Sequence, residues 1–233
     1  MSHRTFDRLG AMSGIVGAVL GPIGFSLFGS SALGESLNGG SKESLAAAIA
    51  APVPTQAFVG ISLDVLSSCL LIVFAARIWA RLRRAEGDSG WLSAAALAGF
   101  VLGMAASLGD KIAFSALATQ AGHGLELQEA MTLRGIAMGS FNLTFQYMGF
   151  LFLGCAAVVG LRAHAFPGWL SWGGAAIALV NLVSLLVPPT IAVPRLGLPL
   201  FFLWLLAASL VMLIRPETQA VAAESSTLAG ARV

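Results

Sequence analysis

Six uninterrupted apolar runs constrain the fold of this chain more than any other feature of its sequence. They cover residues 9–29, 56–79, 91–118, 135–161, 169–187 and 198–214. Each run is about 17 to 28 residues long, which is enough for a helix to cross roughly 30 Å of hydrocarbon. Apolar residues follow one another without the alternation of a barrel strand. The sequence therefore predicts an all-α fold, a polytopic transmembrane helix bundle with six spans.

The shortage of charged residues supports the same interpretation. Only 10% of the residues are charged, against about 25% in a soluble domain. The basic residues are scattered and do not form a stripe that would follow a phosphate backbone. We therefore expect the lipid bilayer as a partner and no nucleic acid.

The positions of arginine and lysine predict the orientation of the bundle, because short loops rich in these residues stay in the cytoplasm. With the N-terminus inside, the cytoplasmic side holds nine of them: Arg4, Arg8, Arg77, Arg81, Arg83, Arg84, Arg162, Arg215 and Arg232. The opposite side holds only Lys42, Arg134 and Arg195. We expect one membrane domain, residues 1–215, with both ends in the cytoplasm. A disordered cytoplasmic tail, residues 216–233, is expected to follow it.

Three charged residues, Asp64, Asp110 and Lys111, fall well within the apolar runs. A charge at membrane depth costs at least about 2.5 kcal/mol unless it is paired or hydrated. Counted from the outer end of each span, all three lie roughly 12–13 Å deep. Asn142 and Asn181 lie at a similar depth, roughly 10–12 Å. These side chains predict a polar pocket in the outer half of the bundle.

Helical periodicity adds further polar groups to this layer. Gln146 lies one turn from Asn142, and Ser107 lies one turn from Asp110 and Lys111. Pro22 reaches a similar depth in the first span, where it frees a carbonyl and is expected to kink the helix. The predicted ligand-binding or proton-carrying residues are Asp64, Asp110, Lys111, Asn142, Gln146 and Asn181.

Other interpretations of these residues stay open at this point. The third span can end near Leu108, which would make residues 109–111 an ordinary interfacial turn. Asp64 can form a static pair with Lys111 or with hydroxyl groups. The amides of Asn142 and Asn181 can serve as hydrogen-bonding links between helices.

The sequence predicts neither a cofactor nor a metal site. The histidines, His3, His123 and His164, lie outside the spans, so a transmembrane pair of haem ligands is not available. There is no phosphate-cradling glycine loop and no cysteine–histidine cluster. His123 shares one face of a short outer helix with Glu126 and Glu129, and a solvated surface helix explains this spacing better than a metal site does.

Small residues recur at four-residue spacing in two spans. Gly99, Gly103 and Ser107 form one such row, and Gly135 and Gly139 form another. Rows of this kind let helix backbones approach closely. We expect them to serve packing within the bundle, with a homo-oligomer face as the alternative.

The chain resembles an uncharacterised family of six-span bacterial membrane proteins, a domain of unknown function common in actinobacteria. The resemblance rests on the six spans, a basic second loop, the Leu-Gly-Asp-Lys stretch that ends at Lys111 and the Gly-Trp-Leu-Ser stretch that begins at Gly168. It implies a multi-pass protein of the bacterial inner (cytoplasmic) membrane. It implies no activity and assigns no role to any residue.

Three functions fit the sequence. The first is a small-molecule or proton-coupled permease, with Asp64 carrying charge or a proton and Lys111 as its counter-ion or as an anion ligand. The second is a membrane-embedded enzyme acting on a lipid, with Asp64 or Asp110 as general base. The third is an accessory or scaffold subunit that binds another membrane protein.

Overall fold

Helices form every regular element in residues 3–186 and 193–214, which are the residues that the computed structural model describes. In chain order they are α1 (His3–Gly29), α2 (Ala32–Leu37), α3 (Lys42–Ala50), α4 (Thr55–Glu86), α5 (Trp91–Gln120), α6 (Leu127–Phe145), α7 (Leu153–Ala163), α8 (Gly168–Leu186) and α9 (Val193–Ile214). A π-helical segment, Gln146–Phe152, joins α6 to α7 in one continuous rod. The predicted all-α class is confirmed. The predicted tail, residues 216–233, lies outside the described residues.

Five of these rods are long and apolar enough to cross a membrane. They are Arg8–Gly29, Thr55–Glu86, Trp91–Gln120, Leu127–Ala163 and Gly197–Ile214. In α8 the apolar stretch Gly168–Ser184 is shorter. Lengths and compositions of this kind are those of a multi-pass membrane protein. The sixth span, expected at residues 169–187, and the orientation of the bundle stay predictions.

The connection between α4 and α5 is tighter than the sequence suggested. α4 continues through its arginines to Glu86, because Arg, Leu and Ala are good helix formers outside the membrane as well. Gly87 then ends the helix with a positive φ of 78°, a conformation that favours glycine. The Glu86 carboxylate accepts hydrogen bonds from the main-chain N–H groups of Leu92 (3.0 Å) and Ser93 (2.8 Å) and so caps α5. Only residues 87–90 of the connection between the second and third apolar runs are therefore non-helical.

The connection between the first two apolar runs, residues 30–55, also contains helices. Ser31 and Ser41 cap α2 and α3, because each side chain accepts a hydrogen bond from a main-chain N–H three residues later. Neither helix has enough apolar residues to stand out as a run in the sequence. Both helices pack against the ends of α1, α5 and α6 in a second core, which contains Phe28, Leu33, Leu37, Leu45, Phe114 and Leu117.

A row of glycines holds α1 against α4. The row has spacings of four and three residues and consists of Gly10, Gly14, Gly17, Gly21 and Gly24. A Cβ atom at Gly24 would lie 2.6 Å from the carbonyl oxygen of Gly60 on α4, closer than atoms can approach. The sequence analysis missed this row, although its heptad-like period is visible in the sequence.

The two predicted rows of small residues have different environments. A Cβ atom at Gly99 would lie 2.9 Å from the main-chain nitrogen of Phe152, so the row on α5 serves packing within the bundle. Gly135 and Gly139 on α6 would meet nothing within 4 Å. The packing interpretation is therefore correct for α5 and wrong for α6.

The first and larger core lies in the middle of the bundle and is rich in aromatic side chains. Phe152 makes edge-on contacts with Phe100, at 5.2 Å between ring centroids, and with Trp204, at 6.0 Å. The indole N–H of Trp204 donates to the carbonyl of Leu170 (2.9 Å) and links α9 to α8. The candidate site lies where this core meets the second core.

Candidate functional site

Asp64, Asp110 and Lys111 form one group, which we call the acid–base cluster. α4 supplies Asp64, and α5 supplies the other two. The Lys111 ammonium lies 2.9 Å from Asp64 Oδ2 and 3.7 Å from Asp110 Oδ1. α5 is helical without a break from Trp91 to Gln120, so residues 109–111 do not form a turn. An end of the span near Leu108 stays an alternative. Lys111 is thus the counter-ion of Asp64.

Burial differs sharply among the three charged groups. The side chains of Asp110 and Lys111 are 7% and 9% exposed, whereas that of Asp64 is 32% exposed. Lys111 also donates a hydrogen bond to Ser107 Oγ, one turn earlier on α5. Asp110 Oδ1 is buried and accepts no hydrogen bond from the part of the chain that the structure describes. Its nearest partner is the Lys111 ammonium at 3.7 Å, so this oxygen has unused hydrogen-bonding capacity.

A cavity of about 430 Å³ adjoins the acid–base cluster. Its volume falls in the range of about 300–1,000 Å³ found for small-molecule sites. Both acids and the lysine line it, together with Ser67, Ser68, Ser107 and Thr144. The rest of the wall is mainly apolar and includes Phe25, Phe114, Phe141, Phe201, Phe202, Met104 and Met148. The cavity therefore has a polar patch in an otherwise apolar wall, as is usual for ligand sites.

Two prolines inside helices also line the cavity, Pro22 on α1 and Pro199 on α9. Neither can donate a main-chain hydrogen bond, so the carbonyl one turn earlier loses its helical partner. For Pro22 that carbonyl belongs to Ala18, which lines the cavity as well. Interrupted helices are tolerated at membrane depth where they border a cavity. The sequence analysis singled out Pro22 but not Pro199.

The three predicted amide residues do not line this cavity. Asn142 is exposed on α6, and Gln146 is half-buried at the start of the π-helical segment. Counting residues along each span predicted the depth of these side chains but not the rotation of the helix about its axis. That rotation directs them away from the cavity. The structure therefore brings together the three charged residues of the predicted set and does not add the amides to them.

Asn181 occupies a separate and tightly packed site. Its amide donates to the carbonyl of Ile177 on its own helix (2.8 Å). A Cβ atom at Gly149 would lie 2.6 Å from Asn181 Oδ1, and one at Gly197 would lie 2.9 Å from the same oxygen. The side chain thus fills the space that glycines leave on the π-helical segment and on α9. We call Asn181, Gly149 and Gly197 the asparagine wedge.

No metal-binding group is found among the residues that the structure describes. Within residues 3–186 and 193–214, no three His, Cys, Asp or Glu side chains are grouped to hold an ion. His123, Glu126 and Glu129 accordingly form no such group. The chemistry available at the cavity is that of two carboxylates and an ammonium, which can hold or pass a proton and can bind a polar group.

Most of the apolar wall could not be predicted from the sequence. The signal used was charge inside an apolar run, and that signal cannot select five phenylalanines out of the 14 in the chain. Thr144 could not be singled out from the sequence, because hydroxyl residues of this kind are common in membrane helices. Its hydroxyl donates to the main-chain carbonyl of Ser140, one turn earlier.

No family model matches the chain, and neither a curated protein nor a solved structure matches it significantly.

Proposed function

We propose that the protein is a small-molecule permease of the bacterial cytoplasmic membrane, and that the cavity is its binding site. One observation supports this proposal above the others: a cavity of ligand size has two carboxylates and an ammonium in its wall. Ionisable groups inside membrane spans are expensive and commonly mark substrate, ion or proton pathways. Transporters often place such groups beside irregular helices, and Pro22 and Pro199 each remove one main-chain hydrogen bond from a helix here.

The roles of the cluster follow from exposure and distance. Asp64 is the most exposed of the three charged groups and carries a proton or binds the polar part of the substrate. Lys111 compensates its charge at 2.9 Å. Proton uptake at Asp64 would weaken this pair and release the lysine toward Asp110. Substrate binding and proton binding would in this way compete for the same carboxylate.

The arrangement in the membrane belongs to the same proposal. Six spans with both termini in the cytoplasm place the cavity in the outer half of the bundle. The excess of arginine on one side supports this orientation. The exposed indoles of Trp91, Trp169 and Trp172 agree with it, because all three would lie at the cytoplasmic interface, where exposed indoles are usual.

The alternative of a lipid-directed enzyme gains little from the cavity. Hydrolysis needs an activated nucleophile or a metal-bound water. The hydroxyl of Ser67 donates to the carbonyl of Gly17 (2.7 Å), and that of Ser68 donates to the carbonyl of Asp64 (2.9 Å). Neither hydroxyl contacts a carboxylate that would activate it. The acid–base cluster is better suited to binding and proton exchange.

Uptake into proteoliposomes tests the proposal. We expect the wild-type protein to accelerate uptake of at least one compound from a broad panel of small molecules. Asp64→Asn should lower that uptake at least about tenfold, because the amide cannot exchange a proton at the pH of the assay. Asp88→Asn is the matched control, since Asp88 is exposed in the connection after α4. Equal rates for Asp64→Asn and the wild type across the panel would contradict the proposal.

A further inference from the structure

Most donors in the cavity wall are already used by the protein. Two of the three N–H donors of Lys111 are directed at Asp64 Oδ2 and Ser107 Oγ, and Asp110 Oδ1 lies beyond hydrogen-bond distance at 3.7 Å. The hydroxyls of Ser67 and Ser68 donate to main-chain carbonyls. An anionic ligand would therefore find two of the three Lys111 donors already occupied and two carboxylates beside the third.

The acceptors in the same wall are not used to the same degree. Asp110 Oδ1 is buried and receives no hydrogen bond from the described residues. The Asp64 side chain is one-third exposed and has capacity beyond its contact with Lys111. A ligand that supplies donors would add hydrogen bonds to both carboxylates, with a small shift of the wall at the buried Asp110 Oδ1.

Charge and aromatic content point to the same kind of ligand. Two carboxylates face one ammonium in the cluster, which leaves one negative charge in excess when both acids are ionised. Around them the wall contains five phenylalanines, whose ring faces attract cations. The sulfur atoms of Met104 and Met148 add adaptable apolar surface.

We propose that the cavity binds an amphipathic organic cation. Its ammonium group donates to Asp110 Oδ1 and to the Asp64 carboxylate, and its apolar body packs against the phenylalanines. This inference deepens the proposed function, because it names the class of substrate for the same cavity. It also assigns Asp110 the role of ligand acceptor, whereas Asp64 is shared between the ligand and Lys111.

Three probes with the same apolar body test the inference on the unmodified protein. They are 1-naphthylmethylamine, 1-naphthalenemethanol and 1-naphthoic acid, which offer a cation, a neutral donor and an anion. Titration calorimetry of the purified protein in detergent, with empty micelles subtracted, measures each affinity. We expect the amine to bind about tenfold more tightly than the alcohol, and the acid to bind weakest. An alcohol as tight as the amine, or an acid tighter than either, would overturn the inference.

Matched variants locate the contact. Asp110→Asn should lower the affinity for the amine about tenfold and leave that for the alcohol within about twofold. Asp88→Asn removes the same charge far from the cavity and should change neither affinity. If Asp110→Asn binds the amine as tightly as the wild type does, Asp110 is not the acceptor and the inference fails.

The outcome can be separated from that of the permease proposal. Amine binding that depends on Asp110, without any uptake into proteoliposomes, would support the ligand class and contradict transport. Uptake confined to anions, without binding of the amine, would support transport and contradict the ligand class. Binding and flux are measured on the same protein preparation, so neither result can be assigned to a failure of folding.

Discussion

The acid–base cluster and the asparagine wedge are both buried polar sites at similar depth, but the protein treats them in opposite ways. In the cluster, charged groups border a cavity and one carboxylate oxygen lacks a donor. In the wedge, the Asn181 amide bonds its own helix and touches positions where only glycine fits. Polarity inside a membrane bundle therefore does not identify a binding site. Open space and unsatisfied hydrogen-bonding capacity distinguish the first region from the second.

Removing the lysine should give the largest effect on stability. Lys111→Met leaves two carboxylates in the cavity wall without their ammonium, and loss of one partner of a buried pair costs about 3–5 kcal/mol. Unfolding by SDS titration in mixed micelles measures the change. Lys42→Met, at the exposed first residue of α3, is the matched control and should lie within about 0.5 kcal/mol of the wild type. If both variants are equally stable, the cluster is not a coupled unit.

A methyl group added at a glycine of the asparagine wedge should lower the stability by an intermediate amount. Gly149→Ala forces a methyl group against the Asn181 amide, and overpacking of this kind costs about 1–3 kcal/mol. Gly135→Ala on α6 is the control, because its methyl group would meet nothing within 4 Å. The same unfolding assay should show that adding Asn181→Ala to Gly149→Ala costs less than the sum of the single changes. Strict additivity would show that the side chain and the glycine are not in contact.

Amide substitutions of the two acids should have the smallest effects on stability, and Asp64→Asn should be the more destabilising of the two. Asp64→Asn weakens the 2.9 Å pair and should cost about 1 kcal/mol. Asp110→Asn removes the excess negative charge while the closer pair remains, so it should be neutral or slightly stabilising in the absence of ligand. Paired unfolding curves at neutral pH measure both. A larger loss for Asp110→Asn than for Asp64→Asn would place the main ion pair at Asp110.

The sequence predicted the helices because lipid imposes a length and a composition that are visible residue by residue. It also placed Asp64, Asp110 and Lys111 at one depth, because the rise per residue of a helix is fixed. Depth does not specify which way a side chain faces. Asn142 shares the depth of Asp64 and is exposed, whereas Lys111 is buried beside the cavity.

What could not be predicted depends on contacts between distant segments. The π-helical segment shifts the helical phase between α6 and α7, and it lies where Gly149 meets Asn181. Nothing local to residues 146–152 specifies this geometry. The cap that Glu86 provides for α5 is a local contact, but it was also not predicted. Gly90, at the usual capping position, has no side chain to accept the hydrogen bonds, and Glu86 does so from the end of the preceding helix.

The two prolines in the cavity wall have a mechanical consequence. Bending a regular helix stretches main-chain hydrogen bonds on its convex side, but at Pro22 and Pro199 one such bond is already missing. On α1 the close glycine contacts with α4 lie on both sides of Pro22, at Gly17 and at Gly24, so this helix is held in place there. On α9, Gly197 comes two residues before Pro199 and packs against the Asn181 side chain, so a tilt about Pro199 would move the asparagine wedge together with the cavity wall.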